Sequence, residues 1–280
     1  AAKIFKTPLF LEVNAPLALE RSEQPDEKLY LKKIAFAMER WACSNSFKTI
    51  VVSTPLKEYL VSKGVPADLI EVMPNGVNPV KFASGPKDLK LMKSLGVNDN
   101  EVVIGFTGVL RPWHGLELLI DAFSDLLKIE PNIKLLIVGD GPSRGEVDRQ
   151  IVSLSIENKV IVTGRLPYDE VAVYVNIFDI AVSPKSTFYA SPMKVVEYMA
   201  MAKAVVVPNE PNLLDIISPH HTGVVFKVGS HHGFFSTLLS LITNNDHREA
   251  LGREARKKVD ERLNWGWNAK NICVKIKGQN

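Results

Sequence analysis

From Glu101 onward, short β-branched apolar runs alternate with amphipathic helical stretches, and this alternation restricts what the chain can fold into. Residues 102–106 read as a strand. Residues 116–128 read as a helix, with Leu116, Leu119, Ile120, Phe123 and Leu127 on one face, and residues 134–138 as a strand again. Further strands are expected near Val160, Asp179, Val205 and Val224, each separated from the next by helical sequence. Strands spaced by helices of this length pair in parallel through right-handed crossovers, which makes the fold class α/β. Ligands of such sheets bind beyond the carboxyl ends of the strands. The candidate site therefore lies in the post-strand loops, residues 107–111, 139–142, 164–166 and 183–191. Three of the four contain glycine, which lets a backbone approach a ligand closely.

The part before Glu101 is less regular. Residues 8–13 read as a buried strand following Ile4 and Phe5. Residues 27–41 carry helical spacing in Leu31, Ile34, Ala35 and Met38, and residues 49–53 form a β-branched strand. A helix over residues 55–62 ends at Gly64, and a strand over residues 70–73 leads into Pro74-Asn75-Gly76-Val77-Asn78-Pro79. That cluster of turn formers, followed by polar sequence over residues 81–100, is the expected domain boundary. Three helices, over about residues 230–244, 247–262 and 265–277, close the chain, with Gly266 between two tryptophans suggesting a bend.

Composition narrows the partners. The 280 residues are 46% hydrophobic with a net charge of +3, and no long Lys/Arg run argues for nucleic acid. Cys43 and Cys273 have neither metal-ligand spacing nor the density of a disulfide framework, so reduced thiols in a cytoplasmic protein are expected. No apolar run is long enough to span a bilayer. The Lys and Arg of residues 247–262 read as a solvated helical face before a membrane-facing patch; peripheral contact with a membrane and the oligomeric state stay open.

The loop chemistry points to an anionic ligand. Ser191 reads as an N-cap and Pro192 as the first residue of a helix, whose free N–H groups and dipole favour a phosphate. On this helix Lys194 and Glu197 are three apart and share a face. In isolation a Lys-x-x-Glu is usually a surface ion pair; beside glycine-bearing loops, the pair can divide a ligand's phosphate and hydroxyls. Arg111, three residues past Gly108 and just before a helix start at Gly115, is placed to grip a diphosphate. His114 is placed to donate to the same phosphate. Gly139-Asp140-Gly141 lacks the third glycine of the dinucleotide fingerprint, which counts against NAD.

These segments together resemble the retaining glycosyltransferases of family 4. The resemblance rests on residues 105–115 (Gly-Phe-Thr-Gly-Val-Leu-Arg-Pro-Trp-His-Gly), on Val138-Gly139-Asp140-Gly141-Pro142, on Gly164-Arg165-Leu166 and on Ser191-Pro192-x-Lys194-x-x-Glu197-Tyr198-Met199-Ala200. It implies the GT-B fold, two Rossmann-like domains: a partial N-terminal acceptor-side domain over 1–78, a complete C-terminal donor domain over 79–262, and a helix over 263–280 crossing back. It also implies sugar transfer from a UDP-, GDP- or ADP-sugar to a glycan or lipid-linked acceptor, without metal; no Asp-x-Asp pair occurs. Gly108 and Arg111 would hold the diphosphate, with His114, Gly139, Asp140 and Gly164 beside it. Arg165 and Leu166 would face the base and Glu197 the ribose. Tyr189, Ala190, Ser191, Pro192, Met193 and Lys194 would form a rearranged sugar site.

Three positions depart from the family. His114 stands where Lys is common, shifting diphosphate charge onto Arg111. Tyr189 stands where a sugar-binding Glu is common, and Asn14 where a His is common; a neutral amide cannot act as a general base. The alternatives are a nucleotide-sugar-binding fragment without turnover and a GT-B-fold sugar-nucleotide epimerase.

Overall fold

The computed structural model describes residues 7–23 and 29–277. Ile4, Phe5 and the expected helix start at Glu27 lie outside the described residues. The first part comprises β1 (Phe10–Val13), α1 (Leu17–Glu23), α2 (Lys32–Ser44), β2 (Lys48–Val51), α3 (Thr54–Ser62) and β3 (Ile70–Val72). The three strands pair in parallel in the order β1-β2-β3 around a core of Cys43, Val51, Leu56, Leu60 and Ile70. The expectation of a buried first strand is corrected: β1 ends the described sheet, Phe10, Leu11 and Val13 are half-buried and Glu12 is exposed. An outermost strand with one unpaired side does not need apolar residues on both faces.

The second part contains α4 (Leu89–Ser94), β4 (Val102–Thr107), α5 (Leu116–Leu127), β5 (Ile133–Val138), α6 (Arg144–Ser153), β6 (Val160–Val162), α7 (Val171–Ile177), β7 (Ile180–Val182), α8 (Met193–Ala200), β8 (Ala204–Pro208), α9 (Pro211–Leu214) and β9 (Val224–Phe226). The helices α10 (His231–Ile242), α11 (Asn245–Arg262) and α12 (Trp265–Lys277) follow. Six parallel strands run in the order β6-β5-β4-β7-β8-β9, so the order reverses between β4 and β7. Alternation along each strand divides its side chains between two cores. Ile104, Leu135 and Ile137 face one side with α5 and α10, while Val103, Leu136 and Val138 face the other with α7, α8 and α11. A glycine sits mid-strand in β4 because the ring of Phe178 lies on it: a Cβ at Gly105 would stand 2.2 Å from that ring.

Three local expectations are refined. The polar stretch after the boundary contains α4, which Asp88 caps by accepting from the Lys90 and Leu91 N–H groups at 2.9 and 3.0 Å while Met92 is buried. Gly266 lies in the first turn of α12, which Asn264 Oδ1 begins by accepting the Trp267 N–H at 2.9 Å. Pro192 is the N-cap residue of α8 rather than its first helical residue, and Ser191 does not cap it. The Ser191 hydroxyl accepts the Asn75 N–H at 3.0 Å, which ties the linker, residues 74–79, to the loop before α8.

The linker is also stitched to the start of α12. Val77 N–H donates to Leu263 O at 3.1 Å and Trp265 N–H to Val77 O at 3.3 Å. Farther along α12, Asn268 donates to Pro74 O at 3.1 Å and Lys275 pairs with Glu71 of β3 at 2.8 Å. Among the described residues no helix is long and apolar enough to cross a membrane.

Helix α11 approaches the turn after α8 closely at Gly252, where an added Cβ would stand 2.0 Å from Ala202 O. Gly252→Ala should therefore force the two helices apart and cost about 1–3 kcal/mol of stability, seen as a lowered midpoint in chemical denaturation.

Candidate functional site

A cavity of about 960 Å³ opens at the carboxyl ends of β4, β5 and β6, on the β4 side of the reversal in strand order. Of the residues singled out from sequence, Gly108, Gly139, Asp140, Arg165, Leu166, Met193, Lys194 and Glu197 line it. The sequence reading missed Tyr168, which also lines it. It follows Arg165 by three residues in the loop after β6, but its partner lies on another element and no sequence spacing reveals it.

Helix α8 owes its position to one side chain. The fully buried Tyr198 hydroxyl accepts the Thr107 N–H at 2.7 Å and meets Thr107 Oγ1 at 3.0 Å, at the end of β4. With Tyr198 inward, the first two turns of α8 present Lys194 and Glu197 to the cavity. Glu197 is 6% exposed, and Oε1 accepts the Tyr168 hydroxyl at 2.7 Å. Burial raises the Glu197 pKa, and the Tyr168 hydrogen bond, Lys194 and Lys81 pull it back down.

Lys194 Nζ is sealed from solvent with no hydrogen-bond partner. It lies 4.1 Å from the Phe106 ring centroid and 3.0 Å from where a Cβ on Gly108 would be. The ammonium thus fills the notch that Gly108 leaves, so this glycine serves the lysine as well as any ligand. Desolvation pulls the Lys194 pKa down from 10.5 to about 7, with Glu197 opposing. Only the Glu197 charge favours its protonated form at the floor of the cavity.

Two glycines of the loops answer to the loops themselves. A Cβ on Gly139 would stand 2.0 Å from Gly108 O, and one on Gly141 2.5 Å from Leu110 O. Close packing between the first two loops, with Gly108 N–H on Val138 O and Leu110 N–H on Asp140 O at 3.0 Å each, excludes a side chain at both positions. Asp140 is exposed and its Oδ1 accepts the Gly141 N–H at 2.8 Å. Gly164 has open space around it and a φ of +75°, and pairs with Gly139 in an isolated bridge.

The other expected residues stand apart from the cavity wall. Arg111 is exposed, 5.1 Å over the Trp113 ring, and borders a separate hollow with Glu117 and Gln150. His114 Nδ1 lies 2.6 Å from Val109 O. A carbonyl only accepts, so Nδ1 carries the proton, and burial pushes the ring's pKa down to about 4, with Lys194 and then Arg111 adding to the fall. The neutral ring then offers Nε2 as an acceptor, so donating to a phosphate would require a second proton on the ring. The loop bearing Tyr189, Ala190, Ser191 and Pro192 faces the first part of the chain. Ser53 Oγ donates to Tyr189 O at 2.7 Å and the Tyr189 hydroxyl donates to Glu20. Buried Asn212 holds this loop from below by donating to Ala190 O at 2.8 Å and Thr187 O at 3.1 Å. Asn14 is exposed at the end of β1.

The family model described as Glycosyl transferases group 1 matches residues 88–258, more than half of the chain. The chain belongs to that family. A second model, Glycosyltransferase Family 4, matches residues 12–81. Among curated relatives, a Methanocaldococcus jannaschii protein described as glycosyltransferase MJ1607 is 29% identical over 83% of this chain and 60% of its own length. The lipopolysaccharide 1,2-N-acetylglucosaminetransferase of Salmonella typhimurium is 24% identical over 88% of this chain and 65% of its own length. The group 1 chain thus spans less than two thirds of either relative. In fold it is similar to Anabaena Alr3699/HepE in complex with UDP, with a TM-score of 0.85 at 20% identity, covering 99% of this chain and 74% of that one. The architecture is GT-B, with parallel sheets on both sides of a linker.

The buried lysine gives a pH signature. Between about pH 7 and 10 the unfolded chain holds a proton on Lys194 that the folded chain does not, so stability attributable to this residue rises with pH across that window. Lys194→Met removes the titration. Urea denaturation should show the wild type gaining on Lys194→Met as pH rises; parallel curves would mean the ammonium stays charged when folded.

Proposed function

We propose that this protein transfers a sugar, with retention of configuration, from a nucleoside diphosphate sugar to a glycan or lipid-linked acceptor in polysaccharide biosynthesis. The observation that carries the reading is Lys194 and Glu197 side by side on α8, one cation and one carboxylate facing a cavity of about 960 Å³ floored by glycine-bearing loops. The chemistry matches the two halves of such a donor. Glu197 would accept hydroxyls of the ribose, and backbone at Arg165 and Leu166 would border the base.

Lys194, enclosed beneath Gly108, would be the first charge to meet the diphosphate, and the approach of that anion would draw its proton back on. Exposed Arg111 would reach in from the rim, with His114, Gly139, Asp140 and Gly164 shaping the loops around it. The loop of Tyr189, Ala190, Ser191, Pro192 and Met193 would border the sugar. As the glycosidic bond breaks, its electron pair leaves with the diphosphate, and Lys194 with loop N–H groups would stabilise that developing charge. The acceptor hydroxyl would attack from the face the diphosphate leaves, passing its proton to a phosphate oxygen. In this reading no metal is needed, because protein cations carry the leaving-group charge. UDP bound to Alr3699/HepE and the acetylglucosamine transfer named for the Salmonella relative support a nucleotide-sugar donor. A cytoplasmic location with peripheral contact at a membrane fits a lipid-linked acceptor.

Calorimetric titration with UDP, GDP, ADP and NAD, without added metal, tests the reading. One nucleoside diphosphate should bind and NAD should not. Glu197→Ala should weaken that binding about ten-fold to a hundred-fold, as expected for losing a hydrogen bond or two to a charged group. If Glu197→Ala, Lys194→Met and Arg111→Ala all leave affinity unchanged, the assigned site is wrong.

A further inference from the structure

Tyr168 is about half exposed, yet its hydroxyl reaches a carboxylate that is almost wholly buried, donating to Glu197 Oε1 at 2.7 Å. An exposed tyrosine reaches such a carboxylate only if its ring is held. Two neighbours hold it: the buried Phe82, its ring centroid 5.6 Å away, and Lys81, whose Nζ lies 3.9 Å from the Tyr168 centroid. Lys81 is also paired with Asp169, the next residue along. Both neighbours sit directly after the linker, where Asn78 fixes the backbone: Phe82 N–H donates to Asn78 O and Val80 N–H to Asn78 Oδ1, each at 3.0 Å.

We propose that Tyr168 is a positioning residue of the donor site, holding the Glu197 carboxylate toward the cavity while Lys81 and Phe82, just after the linker, hold Tyr168. This rests on the reading of Glu197 as the ribose ligand. One carboxylate oxygen is engaged by the phenol, which leaves Oε2 for a ligand hydroxyl. The phenol stays a donor, because burial and the neighbouring Glu197 raise its own pKa. The groups facing Glu197 are Tyr168, Lys194 and Lys81, all opposing its protonation against the pull of burial. Removing the Tyr168 hydroxyl removes the first of these, so the carboxyl should take up its proton at a higher pH. Affinity carried by the carboxylate is present above that midpoint and lost as pH falls through it.

The test uses Tyr168→Phe, which keeps the ring between Lys81 and Phe82. Carbon-13 NMR titration of Glu197 in the ligand-free chain should show its midpoint raised in Tyr168→Phe. Calorimetry with UDP, GDP and ADP from about pH 5 to about pH 8 should show the nucleotide that binds weakened about three- to ten-fold near neutrality. Its loss on acidification should begin at a higher pH than in wild type. In a Glu197→Ala background the same substitution should have no further effect on affinity, because the two residues act as one unit. A midpoint that does not move, or a loss that adds in full to that of Glu197→Ala, overturns the proposal whichever nucleotide binds. A raised midpoint in a chain that binds none of the three nucleotides overturns the ribose reading and with it the donor-site role of Tyr168.

Discussion

The hydroxyl of Tyr198 meeting the end of β4 is the interaction on which the rest of the site depends. A strand's last N–H, here Thr107, has no ladder partner beyond the sheet and needs an acceptor when buried. Tyr198 supplies it at 2.7 Å, so α8 is fixed in rotation as well as in height against the sheet. Rotation matters because Lys194 shares a face of this short helix with Glu197 at i+3 and with Tyr198 at i+4. With Tyr198 turned inward, Glu197 must face the cavity and Lys194 must lie beneath Gly108. The fully buried tail of the helix, Val195 through Ala200 apart from the partly polar Glu197, leaves no other rotation open.

That placement strands an amine and makes its charged form costly. Lys194 has no hydrogen-bond partner and only the Phe106 ring and Glu197 to offset its desolvation. A buried unpaired ammonium is costly, and proteins keep such groups where a ligand completes them. The glycine at 108 is part of the same arrangement: its φ of +134° and its missing Cβ let the lysine lie under the loop. Gly139 and Gly141 then let the second loop pack on the first. The glycine pattern that looks like a phosphate cradle in the sequence is thus in good part the packing requirement of two adjoining loops.

Much of the architecture was legible because it depends on local pattern. Alternation from Val102 onward specifies strands and helices whose side chains fall on two faces, and the parallel sheet follows from connection length alone. The cavity-lining roles of Lys194 and Glu197 were also within reach, since i to i+3 spacing on a helix fixes a shared face. What was not legible depends on distant partners. Ser191 reads as a cap until Asn75, more than a hundred positions away, supplies the N–H it accepts. His114 reads as a phosphate ligand until Val109 O fixes its tautomer. Arg111 is spaced to reach a ligand from the same loop as Gly108, but Trp113 two residues on gives its guanidinium a ring to lie over outside the cavity. Tyr168 carried no signal at all, because its partners come from the segment after the linker and from α8.

Contacts of the same kind join the two parts of the chain beside the site. They include directional hydrogen bonds and ion pairs at the linker, at the loop before α8 and at the end of α9, beside the packing of Phe188 on Tyr59 and of Tyr189 on the core of the first part. Thr54 gives its N–H and hydroxyl to the Asp215 carboxylate at 2.6 and 2.8 Å, and Tyr189 reaches Glu20 from a loop that Asn212 holds. Bonds to charged groups are strong when dry and weak when wet, so such a contact is firm while the interface is closed and easily exchanged for water once it opens. The loop carrying Tyr189 therefore belongs to both parts: its backbone is fixed to the six-stranded sheet's side through Asn212, while its side chain answers to the three-stranded one. A burial of Tyr189 that raises its pKa to about 12, with Glu20 adding to the rise, keeps the phenol a hydrogen-bond donor across that gap at any ordinary pH. Where the family commonly places a carboxylate, this chain has a group that can bridge to a carboxylate on the facing part.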